Sequence, residues 1–168
     1  AQVGSQVHFV GSTNQIYTFK GTGSWYHVTM NQGVAGQRLI LIDDLVLDGD
    51  LTLTRGVIDG FSNNKEVFVR KATASAVIGG NLDSYISGYL RRNINTTAID
   101  GWYNLPVGDY SSGRGYELAQ LIFEAVPATQ QILASFHLWP SLPPPSSPSA
   151  TDCGAPFGLL PLLDHGYW

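Results

Sequence analysis

Apolar and polar residues alternate with a period of two along much of this chain, the spacing of strands with one buried face. The first runs are Val7-His8-Phe9-Val10, Gln15-Ile16-Tyr17-Thr18-Phe19 and Trp25-Tyr26-His27-Val28-Thr29-Met30. Gly11-Ser12-Thr13-Asn14 and Gly21-Thr22-Gly23-Ser24 separate them. Both separators are good turn chemistry, so three short strands are predicted. Over residues 38–58 the odd positions Leu39, Leu41, Leu45, Leu47, Leu51, Leu53 and Val57 are apolar, while Asp44, Asp48, Asp50, Thr52 and Thr54 are even. The register holds through Asp48-Gly49-Asp50 and Arg55-Gly56. A hairpin and a strand bent round a corner fit the first break equally. Ile40, Ile42 and Val46 on the other face point to cover on both sides, as in many parallel sheets.

Further strands are expected at Glu66–Arg70, Ala76–Gly80 and Ser84–Ile94, with a turn at Phe61–Lys65. They recur roughly every ten residues, as in sandwiches, barrels and solenoids, without a repeat of fixed length. In Tyr116–Glu124, Leu118, Leu121 and Ile122 have helical spacing, but Gly113, Gly115 and Pro127 leave too little room for a stable helix. A strand is expected there, and another at Gln131–Trp139 with Ile132, Ala134, Phe136 and Leu138 on one face. Pro140–Pro156 holds six prolines and four serines and reads as an extended crossing. Phe157–Leu163 is the most apolar heptad. The expected fold is all-β, with a parallel β-helix or solenoid-like strand stack over 1–80 and an antiparallel, sandwich-like region over 81–139. A Pro/Ser-rich crossing over 140–156 and an apolar C-terminal segment over 157–168 follow.

Composition narrows the function. The 168 residues are 43% hydrophobic but only 13% charged, with 19 Gly and 9 Pro. Three Lys and three Glu cannot furnish long solvated helices. The net charge of −4 offers no basic stripe for phosphates, so nucleic acid is not an expected partner. No apolar run reaches the roughly 18 residues of a membrane span. Low charge, many Ser, Thr, Asn and Gly, and an Ala1-Gln2-Val3 start that suits a cleaved N-terminus point to export. The single cysteine, Cys153, reads as a small buried hydrophobe. Asn95-Thr96-Thr97 is a glycosylation sequon.

No chemical motif stands out. His8, His27, His137 and His165 do not pair at metal-ligand spacing. Asp43, Asp44, Asp48 and Asp50 lack a calcium-loop pattern and read as turn carboxylates. There is no G-x-S-x-G elbow. Gly79-Gly80 and Gly113-x-Gly115 precede no helix start. No catalytic residue, metal or cofactor is therefore assigned. The aromatic fraction of 11% makes a glycan an eligible ligand, with Trp25 and Trp102 as stacking candidates. Alternation forbids either from sharing a face with its neighbour, Tyr26 or Tyr103. Gly88 is expected at a bulge or a close backbone approach. Arg91, on the face of Tyr89, is expected to be largely buried by aromatic stacking and paired with a carboxylate or carbonyl oxygens.

Ser84-Tyr85-Ile86-Ser87-Gly88-Tyr89-Leu90-Arg91-Arg92, then Trp102-Tyr103-Asn104-Leu105-Pro106-Val107-Gly108, Tyr116-Glu117-Leu118-Ala119 and Gly166-Tyr167-Trp168 form an ordered series. With Trp25–Asn31 and Leu51–Gly56, the series resembles the exported surface proteins of Bacteroidota, many of which carry a type IX secretion signal. The resemblance implies a β-solenoid leading into a β-sandwich, export, and life at the cell surface or outside the cell. It also implies that Tyr167-Trp168 opens a strand completed by further chain. The function expected is a non-catalytic structural or adhesive protein that self-associates into fibres by strand addition. Val3, Val7 and Phe9 are the donor candidates, and Phe157, Leu159, Leu160, Tyr167 and Trp168 the acceptors. Residues 157–168 folding back as a lid is the competing expectation. The alternatives are a carbohydrate-binding module and a polysaccharide-active enzyme on a β-helix.

Overall fold

The computed structural model describes residues 4–21, 23–112, 115–128, 130–138 and 166–167. Over these the chain is all-β apart from three single-turn 3-10 segments. It winds as a parallel β-solenoid with three faces. The first face stacks β1 (Gln6–Phe9), β3 (His27–Asn31), β6 (Leu51–Arg55) and β9 (Val77–Gly79). The second stacks β2 (Gln15–Tyr17), β4 (Arg38–Leu41), β7 (Val57–Asp59), β10 (Ile86–Ser87) and β12 (Tyr103–Gly108). The third stacks β5 (Leu45–Leu47), β8 (Glu66–Val69) and β11 (Tyr89–Asn93), with Trp25 bridging to Leu47 in the first coil. Val28 lies beside Leu51 and Leu51 beside Val77, so one coil takes about two dozen residues, within the period of solenoids.

Alternation explains the core. On the second face Leu39, Ile58, Ile86 and Val107 form one inward column, and on the third Leu45, Val67 and Leu90 form another. All are fully buried. Each contributes about 1.5–3 kcal/mol relative to exposure. The first break in the 38–58 run is a corner between faces, not a hairpin, because the strands on either side of it belong to different sheets. The odd-position register runs inward from Leu39 to Leu53 and then shifts. Gly56 takes φ +96°, and beyond it Ile58 joins the core cluster while Val57 is buried outside it. Cover on both faces of 39–47 is not found: Ile42 is 41% exposed, and Ile40 and Val46 are half-buried. A solenoid sheet has its core on one side only, unlike a sheet flanked by helices.

Gly88 is the close approach that its position in a strand run suggested. It separates β10 from β11 at φ +119°, and an added Cβ would lie 2.8 Å from the Phe61 N in the coil below. Beyond the parallel coils, β13 (Tyr116–Leu121) adds antiparallel to β12, and β14 (Gln131–Ala134) adds antiparallel to β11. Ala119 of β13 and Ile132 and Ala134 of β14 pack against the core cluster of the coils, so these strands prolong the solenoid's own faces. β15 (His137–Leu138) pairs antiparallel with β16 (Gly166–Tyr167). The Pro/Ser-rich crossing and the apolar heptad lie outside the described residues, as does Cys153.

Candidate functional site

The corner carboxylates stitch one coil to the next rather than gathering as a metal site. Asp43 accepts the Phe19 N–H at 2.8 Å and Asp44 the Glu66 N–H at 3.1 Å. Asp48 accepts the Ser24 hydroxyl and lies 3.5 Å from Arg70, while Asp50 pairs with Lys71 at 2.7 Å. His27 Nδ1 accepts the Asp50 N–H at 3.1 Å. His8 is exposed, the His137 side chain is not described, and His165 lies outside the described residues. Among the described residues, no three His, Cys, Asp or Glu side chains group as metal ligands.

Two buried carboxylates escaped the sequence reading. Asp59 and Asp109 are 2% and 1% exposed and sit near Tyr85. Asp59 accepts Arg38 Nη1 and the Ser62 hydroxyl, each at 2.8 Å, and the Ser62 N–H at 3.1 Å. Asp109 accepts the Ser111 N–H at 2.8 Å. Tyr110 covers Arg38, with the guanidinium carbon 4.6 Å from the ring centroid. Both carboxylates thus hold the turns that follow them, and Asp59, through Arg38 of β4, pins its turn to the sheet. Burial, with Asp109 and Tyr110 next in effect, pushes the Tyr85 phenol up to about 12 from its ordinary 10. The folded value lies above the unfolded one, so the stabilisation is complete below pH 10 and is lost as the pH rises through 12. Alkaline unfolding monitored from pH 9 upward should therefore steepen over this window and flatten in Tyr85→Phe. Equal pH dependence of the two proteins would rule this out.

Among the described residues, the clearest unfilled surface is the far end of the solenoid. There β12 and β13 on one side and β14 on the other line a groove of about 480 Å3. Its walls include Leu105, Leu118, Ala119, Leu121, Ile132 and Ala134. Leu118 and Leu121 are 40% and 39% exposed. Among the described residues β13 and β14 are paired on one side only. The opposite end differs. Phe9, Tyr17, Phe19 and Trp25 form a chain of rings there, with centroids 5.7–6.4 Å apart, and they close the core with aromatic edges. Solenoids need a special first and last coil because each coil covers only its neighbours.

The assigned residues fall in three places. Trp25 is half-buried in that aromatic end, and its indole N–H donates to the Tyr17 hydroxyl at 2.9 Å. Trp102 is 56% exposed and away from it. Val7 and Phe9 lie half-buried on β1 against the core. Tyr167 is placed through its backbone beside His137. Val3, Phe157, Leu159, Leu160 and Trp168 lie outside the described residues. The structure also divides what was expected of Arg91. Its side chain is 38% exposed, stacks 5.5 Å from the Phe68 ring and pairs with Glu66 at 2.9 Å. The partners are those expected, but the full burial belongs to Arg92, one position on and turned inward.

No family model, curated protein or solved structure matches the chain. Among the described residues no helix is long and apolar enough to cross a membrane.

Proposed function

We propose that this chain is a non-catalytic structural or adhesive protein, exported to the cell surface or matrix, that joins further copies of itself end to end. The observation that carries the proposal is the apolar groove between β12–β13 and β14, flanked by two strands whose outer edges are unpaired among the described residues. In this reading the antiparallel strands are a sandwich-like end whose two sheets are incompletely filled. The occupant is the first strand of a second copy. β1 is likewise free on one edge among the described residues, and it carries Val7 and Phe9. A free edge poor in charge is where another strand adds. Contact between two different ends repeats without closing, so the product is a fibre. Low charge and the resemblance to exported Bacteroidota surface proteins support the location.

Sedimentation velocity and electron microscopy at high protein concentration test the proposal. The intact chain should form end-to-end oligomers, and deletion of residues 1–8 should return it to monomers. Leu118→Lys, which places a charge in the groove at a partly exposed position, should do the same with an unchanged circular dichroism spectrum. A monodisperse monomer at every concentration would overturn the proposal. A second reading, a carbohydrate-binding module, is favoured by one observation: Trp102 offers a large exposed ring on a rigid β scaffold.

A further inference from the structure

The outer side of the third face carries a polar cleft of about 380 Å3, within the size range of small-ligand sites. Asp44, Asn64, Glu66, Tyr89, Arg91 and Leu133 line it. Asp44 immediately precedes β5, Glu66 opens β8 and Tyr89 opens β11, so three successive coils each supply one side chain at the same corner. Tyr89 is directly beside Glu66 in the strand register. With strands about 4.8 Å apart, the row spans roughly 10 Å, the length of one or two pyranose rings.

The cleft is organised before any ligand arrives. Arg91 Nε and Nη2 reach Glu66 Oε2 at 3.0 and 2.9 Å, and the guanidinium carbon lies 5.5 Å from the Phe68 ring. Asp44 uses Oδ1 to accept the Glu66 N–H. Glu66 Oε1, Asp44 Oδ2, the Tyr89 hydroxyl and the Asn64 side-chain amide make no hydrogen bond among the described residues. Tyr89, 38% exposed, and Leu133, 55% exposed, add an apolar wall. The Arg91 charge is matched by Glu66, which leaves Asp44 as the net charge of the cleft and disfavours an anion. Two free carboxylate oxygens accept from neighbouring hydroxyls, the amide and phenol both donate and accept, and the tyrosine ring faces C–H groups. A ligand satisfying all of these is uncharged, rich in hydroxyls and apolar on one ring face.

We propose that this cleft binds a neutral sugar chain, with Tyr89 as stacking platform and Asp44, Glu66 and Asn64 as hydroxyl-binding groups. The proposal deepens the carbohydrate-binding reading but places the site on residues other than Trp25 and Trp102. Isothermal titration of the full chain with cello-, xylo-, manno- and laminari-hexaose, and with an oligogalacturonate as acidic comparator, tests it. At least one neutral hexaose should bind. Tyr89→Ala and Asp44→Asn should each weaken that binding about tenfold or more, Tyr89→Phe should retain most of it, and Trp102→Ala should leave it unchanged. Thermal unfolding of each variant verifies the fold. Binding abolished by Trp102→Ala and kept in Tyr89→Ala overturns this cleft while sparing the carbohydrate-binding reading. Stronger binding of the acidic chain overturns the cleft's assignment to neutral sugars. Failure of every hexaose to bind overturns both.

Discussion

Arg92→Ala should lower the unfolding free energy by about 3–5 kcal/mol, the range for breaking a buried charged network. Arg92 is fully buried and occupies the inward column that Leu47 and Val69 begin on the third face. Nη1 donates to the Asn104 carbonyl at 2.8 Å, and Nη2 donates to the Thr73 and Ala74 carbonyls at 3.0 and 2.9 Å. The guanidinium carbon lies 5.1 Å from the Tyr103 ring centroid. The Tyr103 hydroxyl in turn donates to Asp100 at 2.7 Å. Burial lowers the Arg92 pKa to about 10, so the side chain still enters the core charged at neutral pH. Alanine would strand three carbonyls, each costing about 1–3 kcal/mol when left dry. Arg92→Lys should recover only part of the loss, because one ammonium cannot reproduce the planar fork. Urea unfolding followed by tryptophan fluorescence provides the measurement. A loss below about 1 kcal/mol for Arg92→Ala would show that water replaces the guanidinium without cost.

Gly88→Ala should cost about 2–4 kcal/mol by the same measurement. Two effects add. At φ +119° an L side chain is strained, and its Cβ would press on the backbone of the coil below, 2.8 Å from Phe61 N and 3.1 Å from the Gly60 carbonyl carbon. Gly36→Ala separates them. Gly36 also has positive φ, at +77°, but nothing lies within 4 Å of its added Cβ. That substitution should therefore cost only the conformational part, about 1–2 kcal/mol. Equal losses at the two sites would mean that the coils do not depend on the close approach at Gly88.

These two positions show how far local pattern reaches. The glycine inside an otherwise regular strand run was enough to mark Gly88 as special. The arginines near it come out the wrong way round: burial is expected at Arg91, and the structure gives it to Arg92. Period two says only that the two face opposite ways. Only the fold reveals that the inward one meets three main-chain carbonyls and a tyrosine ring, partners contributed by residues 73, 74, 103 and 104. The corner aspartates were likewise visible as turn residues, but their bonds to the preceding or following coil are contacts across about two dozen residues. Asp59 and Asp109 left no mark in the sequence. Asp59 lies on the outer side of a sheet, where alternation places polar residues in water, yet Arg38, Ser62 and the Tyr110 ring stacked on Arg38 close over it.

By itself, the sequence determined an all-β chain, the run of inward leucines from Leu39 to Leu53, and the turns between short strands. Each of these depends on residues adjacent in the chain, whose period and turn chemistry are local properties. A parallel strand stack over 1–80 was also legible; the tertiary structure decided that it has three faces, that it continues through β12, and that β13 and β14 then add antiparallel. It also decided that Ile58 replaces Val57 in the core, and that Asp44, Glu66 and Tyr89 meet at one corner. Those outcomes depend on how many residues each coil takes to come back over the last. That number varies from coil to coil with the length of the polar corners, so no fixed repeat along the chain announces it.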